Sequence, residues 1–397
     1  MTRRFAILGV LLLAAAQAAA ATWAVRADGS GDFIHIQDAI DAAASGDTID
    51  IGPGRYDSFS YQFPGGWTIG RIEGKSLDFV GAGTDQTFIG PETDSGIDSD
   101  FVWCFLVMSE GLTTKFRNIT FENVRNCSVR IEGAGRGEFE DCLFRGSGGA
   151  FFGRLANGGF FRRCQFIDLD TDIEADAIGL MSPTHNVEIR DCSFDHVYIG
   201  VGAYWDQTDG VVVQDCVFDG GDAGIHIADG ASGEVRNCRI TNMQGYGVVG
   251  NSPGTVVIED NTIEMPDVGH PNYCVNAYYP PGDYIVRNNI LRSHSVIFGL
   301  FTPQISLECE NNQLLRMTEE TWYVRPAESG PIYNGPIITL DLGHNWWGTD
   351  DASEVSAWIW DHNDDEAHKF VVDFEPMNGV VRTEARSWGA IKRLFGD

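Results

Sequence analysis

The sequence predicts an all-β solenoid, a rod wound from short parallel strands. Three observations carry that prediction. First, a six-residue phrase returns along the chain: apolar, any, Asp or Asn, Cys or Asn, any, apolar. It reads FEDCLF at Cys142, FRRCQF at Cys164, IRDCSF at Cys192, VQDCVF at Cys216 and VRNCRI at Cys238. It continues as IEDNTI at Asn261, VRNNIL at Asn289, CENNQL at Asn312 and LGHNWW at Asn345, with FRNITF at Ile119 before them all. A period in the twenties is that of a coil, not of a domain. Second, apolar and polar residues alternate inside each unit, as strands require. Third, 47 glycines accompany abundant Val, Ile, Phe, Asn and Asp, the composition of short strands joined by tight turns.

The elements follow in order. Arg3 and Arg4, an apolar run from Phe5 to Leu13 and an Ala-rich stretch to Ala21 predict a signal peptide over 1–21. That run is too short for a membrane span, and no second one follows, so the mature chain is expected to be secreted or periplasmic. Residues 22–46 form an N-terminal cap in which Ile36, Ile40 and Ala43 recur at helical spacing. This helix is expected to cover the first coil, whose open strand edges invite pairing with other chains. Strands are expected at 47–51, 76–81 and 103–108, then three per coil from about 116 to 347. The middle strands are AIGLM (177–181), IGVGAY (199–204), GIHIA, YGVVG (246–250), YCVNAY (273–278) and VIFGLF (296–301). A C-terminal cap is placed at 348–376 and a tail at 377–397, so that 22–376 is one domain.

The net charge of −30 disfavours nucleic acid and anionic membranes, both of which select basic patches. It also disfavours acidic polysaccharides unless divalent cations bridge them. Nine cysteines in an exported chain invite a disulfide reading. Stacking argues against it for the five in the phrase. Coils rising by about 4.8 Å hold successive Cβ atoms farther apart than the ~3.8 Å of a cystine. Cys142, Cys164, Cys192, Cys216 and Cys238 are therefore read as small buried hydrophobes, while Cys104, Cys127, Cys274 and Cys309 stay open.

The chain resembles the right-handed parallel β-helix proteins of the pectin lyase-like superfamily. The row Asn261, Asn289, Asn312 and Asn345 resembles that group's asparagine ladder. ADGSGDFIHIQDAIDAAASGDTIDIGPGRY (27–56) is similar to its entry segment, and NWWGTDD…DHNDD…VDFEP (345–376) to the closing segment of bacterial β-helix repeat proteins. The resemblance implies a single-stranded right-handed parallel β-helix of about thirteen coils. It implies less about activity, because the superfamily mixes lyases, hydrolases, esterases, epimerases and non-enzymatic proteins. ADAIGLMSPTHNVEIRDCSF (175–194) resembles a pectate lyase stretch, with Asp176 where those proteins use an Asp for calcium. The basic motif of those lyases, the carboxylate motifs of the pectinase hydrolases and the methylesterase segments have no match here.

Turn length then marks a candidate site. Most coils pass from the Cys/Asn position to the middle strand in seven to ten residues, but the passages Cys164 to Ile178 and Asn261 to Val275 take fourteen. Both insertions fall at the same corner and predict two walls with a floor between, a trough suited to a linear polymer. The candidate acids, bases and nucleophiles are Asp172, Asp176, Asp195, Asp222, His196 and His226. Carboxylates crowded on neighbouring coils raise one another's pKa, as a general acid at neutral pH requires. The cluster Asp168, Asp170, Asp172 and Asp176 is equally suited to Ca²⁺, the only cofactor the residues suggest. Tyr204, Trp205, Tyr278, Tyr279 and His270 are the candidate sugar contacts, since Tyr and Trp join an apolar face to a polar edge. Turn Asp residues also bond their own backbone, so each carboxylate carries a structural reading beside the functional one.

The expected function is that of an exported, monomeric polysaccharide-active protein, with glycoside hydrolysis in first place. A non-catalytic glycan-binding or surface protein is the alternative, and a calcium-dependent pectate lyase-like enzyme the third reading.

Overall fold

The computed structural model describes residues 19–379, apart from 64–65, 94–95, 98–100, 109, 134, 170–175, 252, 280–281, 301–304 and 327–334. The expected signal peptide and C-terminal tail fall largely outside these residues.

The chain winds into a parallel β-solenoid with three faces. Face 1 is a twelve-stranded parallel sheet running from Thr22–Val25 to Ile305–Glu310, one strand per coil. Face 2 stacks Gly54–Tyr56 through Gln313–Arg316, and face 3 stacks Gly66–Glu73 through Trp322–Pro326. Every rung pairs in parallel with the rung 22 to 37 residues on, as Gly159–Arg162 does with Val187–Arg190. About twelve coils form, one short of the expected thirteen. The strand Ile338–Asp341, which would begin the next rung of face 1, pairs with Phe370–Asp373 in a separate sheet of the C-terminal cap. At the other end the helix Ile36–Ala42 buries Ile36, Ala39 and Ile40 over the first coils.

The repeated phrase is the corner between faces 1 and 2. Its third residue takes the left-handed backbone at each of its ten occurrences, from Asn118, Asp141 and Asp191 to Asn288, Asn311 and His344, with φ between 49° and 60°. Asn and Asp tolerate that region best after Gly, which is why they recur there. The fourth residue turns inward. Asn289 Nδ2 donates to Ile258 O at 2.8 Å and to Asn312 Oδ1 at 2.9 Å. The Asn289 backbone N–H donates to the same Oδ1 at 2.9 Å, and the arrangement repeats at Asn261 and Asn312. Each amide thus satisfies a corner N–H that the sheets leave without a partner. In the earlier coils Cys occupies the same place. Cys192 Sγ approaches Phe161 O at 3.5 Å and Cys216 Sγ approaches Ile189 O at 3.5 Å, the carbonyls equivalent to those the Asn amides use. The sixth residue fills the shaft: Phe121, Phe144, Phe166, Phe194 and Phe218 stack with centroids 4.9, 5.1, 4.6 and 4.4 Å apart. Those spacings match the ~4.8 Å distance between neighbouring strands.

All nine cysteines are free and buried. Burial pushes the thiols of Cys104, Cys127, Cys274 and Cys309 up, those of Cys127 and Cys309 to about 12. An aromatic-disulfide thiol reagent should therefore label almost none of the nine in buffer and all nine in strong denaturant, and a reductant should leave the melting temperature unchanged. Labelling short of nine in denaturant would show cystines.

Outside, face 1 carries alternating Arg and Glu. Arg190 meets Glu188 at 2.8 Å, Arg236 meets Glu234 at 2.8 Å and Arg287 meets Glu259 at 2.8 Å, while Arg162 also pairs with Glu188. In two coils faces 2 and 3 are made by one continuous strand, Val217–Ala228 and then Arg239–Asn251. The first bends at Gly220 (φ 77°) and Gly221 (φ 117°), angles that favour glycine. No helix among the described residues is long and apolar enough to cross a membrane.

Candidate functional site

On face 3, one outward row runs Gly179, Gly202, His226, Val249, Asn276 and Gly299, each in register with the next coil. A second outward row begins at Asp176 and passes Ile199 and Ala223. Two neighbouring glycines clear a hollow in this floor, and the side chains around it fold in. Tyr204, at the end of Ile199–Tyr204, swings back over Gly202 and donates its hydroxyl to Asp176 Oδ1 at 3.0 Å. A Cβ on Gly202 would sit 2.5 Å from the Tyr204 hydroxyl and would also overlap Asp176 Oδ2. The His226 ring meets the Tyr204 ring edge-on at 5.5 Å and 80°.

The electrostatics follow from the half-buried position. Desolvation pushes the Asp176 carboxyl up from 3.8 to about 7, with the Tyr204 hydrogen bond pulling the other way. Burial, then the Asp176 charge, pushes the Tyr204 phenol up. Burial holds His226 below its usual range, against a counter-pull from Asp229. At neutral pH the cluster therefore holds a carboxyl poised between its two forms, a neutral phenol and a neutral imidazole. That set can donate or accept a proton at one point on the surface. Gly202→Ala should push Tyr204 off Asp176, lower the melting temperature by a few degrees and shift the titration of the carboxyl, which loses the bond that holds it down. A carbonyl infrared titration of Asp176 unchanged from the parent would contradict this.

The other expected residues lie elsewhere. Asp195 and His196 bond each other at 2.6 Å on the exposed corner between faces 2 and 3. Asp222 stands one position before Ala223, two coils from Asp176 in register, and its N–H donates to Tyr198 O at 2.9 Å. Trp205, next to Tyr204, has φ 67° and is 42% exposed. The second wall is present as the segment between Thr262–Met265 and Tyr273–Tyr279. His270 is exposed in it, and among the described residues its ring bonds to neighbouring Pro271 O at 3.3 Å. Asp170 and Asp172 lie outside the described residues, as do the side chains of Tyr278 and Tyr279. Asp168, where the first wall was expected to begin, has φ 48°, and its N–H donates to Asp195 O at 3.0 Å; residues 170–175 of that segment lie outside the described residues. Among the described residues, no three His, Cys, Asp or Glu side chains gather as a metal site. The site's hollow was missed in the sequence, although Gly recurs at one register of AIGLM, IGVGAY and VIFGLF, which is the signal that marks it.

Among curated proteins none matches the chain. Among solved structures, one similar to it is the alginate lyase from Paenibacillus sp. str. FPU-7, at 11% identity over 72% of this chain and 99% of that one, TM-score 0.51. Another is the catalytic unit of a thermostable GH87 alpha-1,3-glucanase from Streptomyces thermodiastaticus strain HF3-3, at 14% identity over 88% of this chain and 67% of that one, TM-score 0.51. Likeness at such identities concerns the fold alone. The family model described as right handed beta helix region matches residues 104–291 and 200–323, more than half of the chain. The parallel winding, the inward Cys and Asn column and this match agree: the chain belongs to the right-handed β-helix family.

Proposed function

We propose that this is an exported, monomeric enzyme that hydrolyses a linear polysaccharide laid over face 3, with Asp176 as general acid. The observation that supports it is the Tyr204–Asp176 contact at 3.0 Å over glycine-cleared floor. A carboxyl that keeps its proton near neutral pH is what protonation of a glycosidic oxygen needs. Asp222 is the partner carboxylate in this reading. Two rungs at about 4.8 Å place its backbone roughly 10 Å from that of Asp176. A gap of that order leaves space for the water used in single-displacement hydrolysis. Trp205 supplies an exposed ring against which a sugar face can stack. The signal peptide at 1–21 takes the chain out of the cytoplasm.

A non-catalytic glycan-binding protein is the second reading, favoured by the same exposed Trp205. A polysaccharide panel separates them. New reducing ends without ultraviolet absorbance are expected from the parent and not from Asp222→Asn, whose thermal unfolding should match the parent's. An absorbing unsaturated product would replace hydrolysis by elimination. Retention on a glycan gel with no product at all would leave the binding reading.

A further inference from the structure

We propose that the glycan recognised on face 3 is uncharged, a polymer of neutral sugars, and that Asn276 reads its hydroxyls. The inference rests on the reading of face 3 as the glycan-facing surface and adds the chemical class of the ligand.

The first observation is a distribution of charge. Between Arg163 and Arg316 the chain has no lysine, and its arginines are Arg190, Arg236, Arg239, Arg287 and Arg292. Arg190, Arg236 and Arg287 lie in the face 1 strands Val187–Arg190, Gly233–Arg236 and Gly282–Arg287, each paired with a glutamate at 2.8 Å. Arg239 opens the face 2 part of Arg239–Asn251, and Arg292 lies in Ile290–Ser293 on face 2, 3.5 Å from Glu264. From the rung of Asp176 to the rung of Gly299, face 3 and its corners therefore carry no cation; the flanking ones are Arg154, one coil before, and Arg325, which follows Gly299 in the row. The ionisable groups they do carry are acidic: Asp222 at the corner, exposed Asp229 near Tyr204 and His226, and the partly protonated Asp176 on the floor. A uronate or sulfated sugar would bring one more negative charge per ring to that surface, with no guanidinium or ammonium to receive it.

The second observation is a polar group prepared for a partner. Asn276 faces outward in the same row as His226, two coils on, yet it is 1% exposed. Among the described residues, neither its Oδ1 nor its Nδ2 has a hydrogen-bond partner. The space above Gly299 is shared by this amide and the Tyr273 ring. A buried amide with both atoms unbonded is costly, and a sugar hydroxyl, donor and acceptor at once, satisfies both. A carboxylate can only accept, and would leave the Oδ1 unsatisfied. From His226 to Asn276 is about 10 Å along the rod, near the span of two sugar rings.

The test is calorimetric binding of the parent protein to neutral hexasaccharides (β-1,4-gluco-, β-1,4-manno-, β-1,3-gluco- and α-1,3-gluco-linked) against hexagalacturonate and hexamannuronate. Each is run with 1 mM Ca²⁺ and with chelator. At least one neutral member should bind with an affinity that ignores chelator and salt. Asn276→Ala should weaken that binding about tenfold while melting at or above the parent temperature. Binding of either uronate in calcium, in preference to the neutral set, overturns the class and leaves face 3 as a glycan surface. Binding of no saccharide overturns both. An Asn276→Ala affinity equal to the parent's removes that residue from recognition, whatever the class.

Discussion

Asp176→Asn should lower turnover by about 10²- to 10⁴-fold and yet raise stability above neutral pH. The direction comes from the position of the carboxyl. Its pKa rises from 3.8 to about 7 because burial beside Gly179 and Gly202 disfavours the charge. A raised folded-state value means that the stabilising form is the protonated one. That contribution is complete below pH 4 and is lost as pH climbs through 7. The difference corresponds to at most about 4 kcal/mol, less in practice because a half-buried group still reaches water. Asparagine has the same shape, no charge, and an oxygen that accepts the Tyr204 hydroxyl. The parent should thus melt several degrees lower at pH 8 than at pH 5 through this group, and the variant should flatten that slope. Equal slopes in parent and variant would show that Asp176 is an ordinary solvated acid, and the catalytic role would go with it.

Asn312→Ala should be the most damaging single change in the shaft. Asn312 is fully buried. Its Oδ1 receives the Asn289 N–H and Nδ2, both at 2.9 Å, and its Nδ2 donates to Val286 O at 2.8 Å and to Asn345 Oδ1 at 2.9 Å. Alanine takes from the Asn289 N–H and the Val286 carbonyl the side-chain partner each has in a dry interior, and leaves the Asn289 amide only its bond to Ile258 O. At ~1–3 kcal/mol per orphaned group, and with some relaxation, the loss is about 3–5 kcal/mol. A melting point lower by roughly 10 °C should follow. Asn312→Cys should cost about half as much, because a thiol reaches the equivalent carbonyl in the coils of Cys192 and Cys216. An alanine variant that melts with the parent would mean that the column is decoration.

Much of the fold was legible because its causes are local. The left-handed corner selects Asn or Asp at positions such as Asp191 and Asn288, and the stacked interior selects Phe at positions such as Phe194. Each requirement repeats once per coil, so the sequence repeats it too. The thirteenth coil was not legible. Whether Ile338–Asp341 joins face 1 or pairs with Phe370–Asp373 depends on the cap arriving from farther along the chain. The site was legible only in pieces. Asp176, Tyr204 and His226 were separate candidates, and their convergence depends on the ring of Tyr204 folding across a missing Cβ at Gly202. Asp195, named by the same reasoning, ends a face 2 strand in register with Ile167 and Asp219, while His196 and His270 are corner and loop residues with no register to aim them.

The two unbroken strands Val217–Ala228 and Arg239–Asn251 have a further consequence. Where a single strand carries the chain around the corner, no loop rises from these two coils. A fibre approaching the rod from the side meets an open saddle there and need not thread an end through a tunnel. Scission would then fall in the middle of long molecules, and a viscous solution would thin well before many new chain ends had accumulated.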